Sequence, residues 1–107
     1  MGLPVPREPV EIKRLIMTVR AELQAEDEID RDTLAVWSFN RLPKYLWSCW
    51  KDELNRRGIT WQKFLRILKL HTGDAIEWVF GSSLSWEELI GRLEVSINRY
   101  SREGEAP

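Results

Sequence analysis

Cysteine and histidine are nearly missing from this chain: each occurs once, as Cys49 and His71. A lone thiol excludes an internal disulfide, and one Cys with one His provides no metal-ligand spacing. No stretch of the sequence approaches the roughly 20 apolar residues that span a bilayer. The opening "MGLPVPREPV" lacks the basic segment and apolar run of a signal peptide. Pro6 stands where a myristoylation signal wants Ser or Thr. Glycine is sparse, and Gly73 and Gly81 act as isolated breakers rather than as a phosphate-cradling loop. The carboxylates fall at helix starts or on solvated faces, with no pair in an apolar setting suited to general acid–base work. Cys49, between Trp47 and Trp50, is expected to be buried, and His71 to cap the last carbonyls of a helix. No catalytic residue, metal site, cofactor or small-molecule substrate is therefore expected, and the expected setting is a cytoplasm.

What is present is tryptophan and an uneven charge. Six Trp in 107 residues is high, and most of them are expected in the core, where large aromatics bury the most area. The net charge is −1. From Glu22 to Asp32, six acids face only Arg31, giving −5. From Arg41 to His71, eight Lys or Arg face Asp52 and Glu53, giving +6. From Thr72 onward the balance is −4. A basic middle between acidic flanks points to a polyanionic partner; an alternating solvated surface is the bland explanation.

Every strong apolar pattern has helical period, and none alternates as a strand would. Pro4, Pro6 and Pro9 make residues 1–8 an extended arm. Ile12, Leu15, Ile16, Val19 and Leu23 then form one stripe of a first helix that begins at Pro9 and runs to about Ala25. The acidic "EDEIDRD" lacks the Gly and Glu positions of a calcium loop, and its Asp32 is expected to cap a second helix over 33–41. Pro43 starts a third helix, with Leu46, Trp47, Trp50 and Leu54 inward and Gly58 at its end. Thr60 caps a fourth, Thr72 or Asp74 a fifth that ends at Gly81, and "SWEE" forms a capping box for a sixth. The expectation is an all-α, compact single domain of about six short helices over 9–100, with a frayed tail at 101–107.

The stretch "RGIT", then "FLRIL-KL", "GDAIEWVFG" and "SWEELIGRLEV", covering residues 57–95, resembles a helix-turn-helix domain of the phage-repressor (Cro/repressor) type. The resemblance implies a scanning helix, a recognition helix and a packing helix, and with them DNA binding. Several residues depart from that pattern. Lys69 stands where the turn usually has Gly, and Leu65 where a small residue lets the helices cross. The residues offered to a groove are His71, Thr72, Asp74 and Glu77 rather than the Arg, Asn, Gln or Lys that meet base edges. An acid about 8 Å from a phosphate costs about 2 kcal/mol at an effective dielectric of about 20, before salt screening.

Two non-enzymatic functions follow. In the first, nucleic acid is held mainly by its phosphates along a basic strip of Arg56, Arg57, Lys63, Arg66 and Lys69. Trp61 is either a stacking platform for an unpaired base or a lid on the core. Such a module would serve as a regulator or as a subunit of a nucleoprotein assembly. In the second, a protein partner or a second copy docks on a Trp-rich apolar surface through Trp37, Phe39, Ile76 and Phe80. Neither function involves a membrane.

Overall fold

Pro9 has no N–H to leave unpaired, and its carbonyl accepts from the Lys13 amide at 3.0 Å, opening the first helix, α1, over Val10–Leu23. The computed structural model describes residues 2–23, 41–81 and 83–105. The remaining helices among them are α2 (Arg41–Arg56), α3 (Trp61–Lys69), α4 (Thr72–Phe80) and α5 (Trp86–Glu105). No described residue is in a strand, and the chain is an all-α single compact domain. Of the helix expected over 33–41, residues 33–40 lie outside the described residues, as do its acidic loop, Trp37 and Phe39, while Arg41 opens α2.

Local chemistry sets most of the boundaries. α2 starts two residues earlier than Pro43, which sits buried in the first turn, where a missing N–H costs nothing. The helix ends at Gly58, whose φ of 80° is the left-handed conformation that side chains resist. There the Ile59 amide reaches back to the Leu54 carbonyl at 2.9 Å, and the Gly58 amide to Asn55 at 3.0 Å. Thr60 caps α3 by accepting from the Lys63 amide at 3.2 Å. Ser85 and Glu88 exchange reciprocal bonds at the start of α5, at 3.1 and 2.9 Å. Two expectations need correcting. α4 begins directly after His71, so Thr72 and Asp74 lie inside its first turn rather than at its cap. α5 continues through Ser101 to Glu105, where fraying was expected, and Ser101 is buried with its hydroxyl donating to the Ile97 carbonyl at 2.8 Å.

α5 packs against both α3 and α4, while α2 covers α3 and α1 covers α4. Leu89, Ile90, Leu93 and Ile97 of α5 are the shared floor of the core. Onto them close Leu46, Trp50 and Leu54 of α2, Phe64 and Leu68 of α3, and Trp78 of α4. No helix among the described residues is long and apolar enough to cross a membrane.

The arm is extended, as its prolines require, and it is bonded to the core along its whole length. Trp50 Nε1 donates to the Pro4 carbonyl at 2.9 Å, Trp86 Nε1 to Pro6 at 2.7 Å, and Trp78 Nε1 to a Glu8 carboxylate oxygen at 2.9 Å. The Tyr45 hydroxyl donates to the Arg7 carbonyl at 2.6 Å, and the Leu3 amide to Glu94 at 2.7 Å. Buried indole N–H groups need acceptors, and the proline-rich arm offers the Pro4 and Pro6 carbonyls without competing donors, with the Glu8 carboxylate as the third. Three of the six Trp thus donate to one short extended arm. Leu3, 6% exposed, belongs to the core.

Candidate nucleic-acid interface

Along α3 the buried positions are Phe64, Ile67 and Leu68. At about 100° per residue, Lys63, Arg66 and Lys69 wind across an arc of roughly 120°, with Arg66 and Lys69 about 150° from the centre of that buried stripe and Lys63 about 90° from it. Arg66 and Lys69 are exposed and Lys63 is half-buried. None of the three is within 4 Å of a described carboxylate. Arg92 and Arg99 add two exposed cations on α5, Arg92 through an ion pair with Asp74 at 2.6 Å.

The two arginines expected to extend this strip have other partners. Arg57 is nearly buried, its Nε 2.9 Å from a Glu53 oxygen and its Nη1 donating to Asn98 on α5 at 2.6 Å. Arg56 is exposed but sits 2.8 Å from the other Glu53 oxygen. Glu53 is held below the ordinary carboxylate range chiefly by the Arg57 hydrogen bond; burial is the next influence and opposes it, and the charges of Arg56 and Arg57 follow on the lowering side. Arg57 therefore ties α2 to α5. Arg57→Ala is expected to lower stability by about 1–2 kcal/mol through the lost hydrogen bonds, read by urea denaturation, and to leave oligonucleotide affinity within about twofold. A large loss of affinity with an unchanged denaturation midpoint would contradict this division of roles.

Trp61 is half-buried and belongs to an aromatic cluster. Its ring meets Trp47 edge-on at 5.5 Å and Phe64 at 6.2 Å. It faces α2, roughly 170° around α3 from the centre of the cleft formed by Lys63, Arg66, Ile67 and Leu70. Of the expected docking residues, Ile76 and Phe80 are half-buried and packed against the core. Leu70 is instead the most exposed large apolar side chain among the described residues, at 64%. With Lys63, Arg66 and Ile67 of α3 and Tyr100 of α5 it lines a cleft of about 210 Å³. Tyr100 follows Leu93 and Ile97 at helical spacing, a period that reads as a core face, and no local pattern marks it as a cleft wall.

His71 does not cap α3 with its ring. Its Nδ1 lies 2.9 Å from Asp74 Oδ2, and its Nε2 lies 2.6 Å from the Ser96 hydroxyl on α5. In the neutral ring, Nδ1 donates to the carboxylate and Nε2 accepts from Ser96. The order Ser, His, Asp is that of a nucleophilic relay. Ser96 sits within α5, however, where neighbouring backbone amides serve the helix and are not free to hold an oxyanion. The three side chains clasp the start of α4 to α5, and Arg92 completes the clasp. Burial is the largest single influence on Asp74 and opposes ionisation, but the His71 and Arg92 hydrogen bonds and the Arg92 charge together outweigh it. The carboxyl titrates below its ordinary value. Its contribution to stability is complete above the unfolded-state value of about 3.9 and is lost as pH falls through the lower folded value. Wild-type stability is therefore expected to fall more steeply than that of Asp74→Asn below about pH 4, measured by denaturation at successive pH values; parallel curves would remove Asp74 from the clasp.

Cys49, expected to be buried, is exposed. It stands about 90° from the centre of the inward stripe of α2. Among the described residues no group of three or more His, Cys, Asp or Glu could hold a metal ion. Comparison with protein-family models, curated proteins and solved structures gives no match to this chain.

Proposed function

We propose that the chain is a non-enzymatic helical module that binds nucleic acid chiefly by its phosphates, as a regulator or as a subunit of a larger nucleoprotein assembly. The observation that carries this reading is the row of Lys63, Arg66 and Lys69, three cations along one helix with no described carboxylate partner. Charges left unpaired in this way suit a partner that brings its own negative charge.

The α3–α4 pair, joined by the two residues Leu70 and His71, serves in this reading as a scaffold for the strip rather than as a reader of base edges. The first turn of α4 spends His71 and Asp74 on α5, and Glu77 remains as an exposed acid. A major-groove reader needs donors in those positions. Binding should therefore depend strongly on salt and weakly on sequence.

Fluorescence anisotropy with labelled single- and double-stranded oligonucleotides, at about 50 and 200 mM salt, tests the proposal. Affinity that falls with salt supports it. Affinity indifferent to salt, or no binding at the lower concentration, sinks it. Protein docking or self-association is the second reading, favoured by the exposure of Leu70 and of Val95, at 64% and 62%. Light scattering at rising protein concentration separates it, since an apolar contact strengthens association without the salt dependence.

A further inference from the structure

The cleft between α3 and α5 joins three features that no single function in the fold requires. Tyr100 contributes an aromatic ring that is only half-buried. Ile67 and Leu70 contribute aliphatic walls, and Leu70 remains 64% exposed although it sits in a tight turn beside the core. Lys63 and Arg66 bring two cations to the same opening, with no described carboxylate within 4 Å of either. At about 210 Å³ the cleft is smaller than the roughly 300–1,000 Å³ of pockets for whole small molecules. It has room for one ring system, with Lys63 and Arg66 among its walls.

We infer that this cleft is a subsite for one unpaired nucleobase of a single-stranded nucleic acid, with the flanking phosphates on Lys63 and Arg66. The inference rests on the phosphate-binding reading above and adds to it a strand state and a second class of contact. A nucleobase is flat with apolar faces, which an aromatic ring and aliphatic walls accept regardless of its identity. Its backbone carries the charge that the rim supplies a partner for. Bases in an intact duplex are stacked and paired, so a duplex meets the cations but leaves the cleft empty. The geometry also separates this site from Trp61, which lies on the far side of α3 within its own aromatic cluster. Lys69, one further turn along the helix, continues the phosphate path away from the base.

The test compares three labelled probes of equal length on the full chain at about 50 mM salt: a single strand of mixed sequence, the same strand with abasic sites throughout, and a duplex. A stacking contact corresponds to about 5- to 150-fold in affinity. The mixed strand should therefore bind at least about fivefold tighter than the abasic strand. Tyr100→Leu, which keeps an apolar side chain and loses the ring, should bring the two to the same affinity, whereas Tyr100→Phe should preserve the difference. Photocrosslinking with 5-iodouracil in the strand gives a readout independent of variant stability, and the adduct should map to Tyr100. Equal affinity for the mixed and abasic strands, equal affinity for the duplex, or an adduct confined to Trp47 and Trp61, would overturn the subsite while leaving the basic strip in place. No binding of any of the three probes would overturn the strip and the subsite together. Oligomers dispersed by Leu70→Ser, with no oligonucleotide bound, would assign the cleft to a protein contact instead.

Discussion

Changing Lys63, Arg66 and Lys69 together to Glu is expected to abolish oligonucleotide binding at about 50 mM salt, with the unfolding midpoint nearly unchanged. Arg66 and Lys69 lie on the face of α3 turned from the core, half-buried Lys63 lies at its edge, and no described acid depends on the three for a partner. The fold therefore has little to lose. The phosphate track has nearly everything to lose, because the variant replaces three attractions by three repulsions. Counterion release gives the scale: each phosphate neutralised on a single strand contributes about −0.7 to the slope of log affinity against log salt. Three contacts give a slope of about −2, or about a 20-fold loss for wild type between about 50 and 200 mM. Single substitutions to Gln should each lower the slope by about 0.7, which titrations across four or five salt concentrations resolve. A triple variant that still bound with the wild-type slope would place the phosphates elsewhere on the molecule and remove the main support for the proposed function.

Trp78→Ala is expected to cost about 3–5 kcal/mol, a large share of the roughly 5–15 kcal/mol that holds a domain of this kind together. Trp78 is 1% exposed, and its ring centre lies 4.8 Å from that of Trp86. Its indole N–H is the donor to Glu8, and the Lys13 ammonium sits 5.4 Å from the ring centre. Truncation opens a cavity where α1, α4 and the arm meet and breaks the link between them. Trp78→Phe separates the two effects, since it keeps most of the apolar volume and removes only the donor; a loss of about 1–2 kcal/mol is expected. Urea denaturation followed by circular dichroism measures both. Equal midpoints for Trp78→Ala and wild type would mean that the arm and α4 are not coupled through this ring.

Features written within three or four consecutive residues were legible before the structure. The Ser85–Glu88 capping box, the Thr60 cap and the glycine after α2 are local patterns whose partners lie a turn away. The basic row on α3 was legible for the same reason, since its period is that of the helix. Long-range partners were not. Nothing beside Arg57 announces Asn98, 41 residues away, so a residue that reads as part of a basic strip turns out to be a strut. His71 likewise finds Ser96 25 residues on, and a solitary histidine carries no local sign of that hydroxyl. The arm was half legible: three prolines fixed its extended form, and the surplus of tryptophan had donors to place. What was missing was the link between them, that buried indoles need acceptors and that a proline-rich arm supplies carbonyls. Leu70 and Tyr100 carry no local sign of their cleft, because a cleft is a property of two helices and not of either one.

The arm's hydrogen bonds also set a kinetic order. Trp50, Trp78 and Trp86 reach back 46, 70 and 80 residues to their acceptors, and Glu94 reaches 91 residues to the Leu3 amide. Helical proteins usually fold fast because their contacts are close in sequence. Here residues 3–8 find their seat only after α5, some 80 to 90 residues further along, has formed, so the docking of residues 3–8 should appear as a late phase in tryptophan fluorescence after helix formation is complete by circular dichroism. Until that phase ends, three indole donors on a nascent chain face water, and the domain is most open to misassembly at the moment its backbone is already folded.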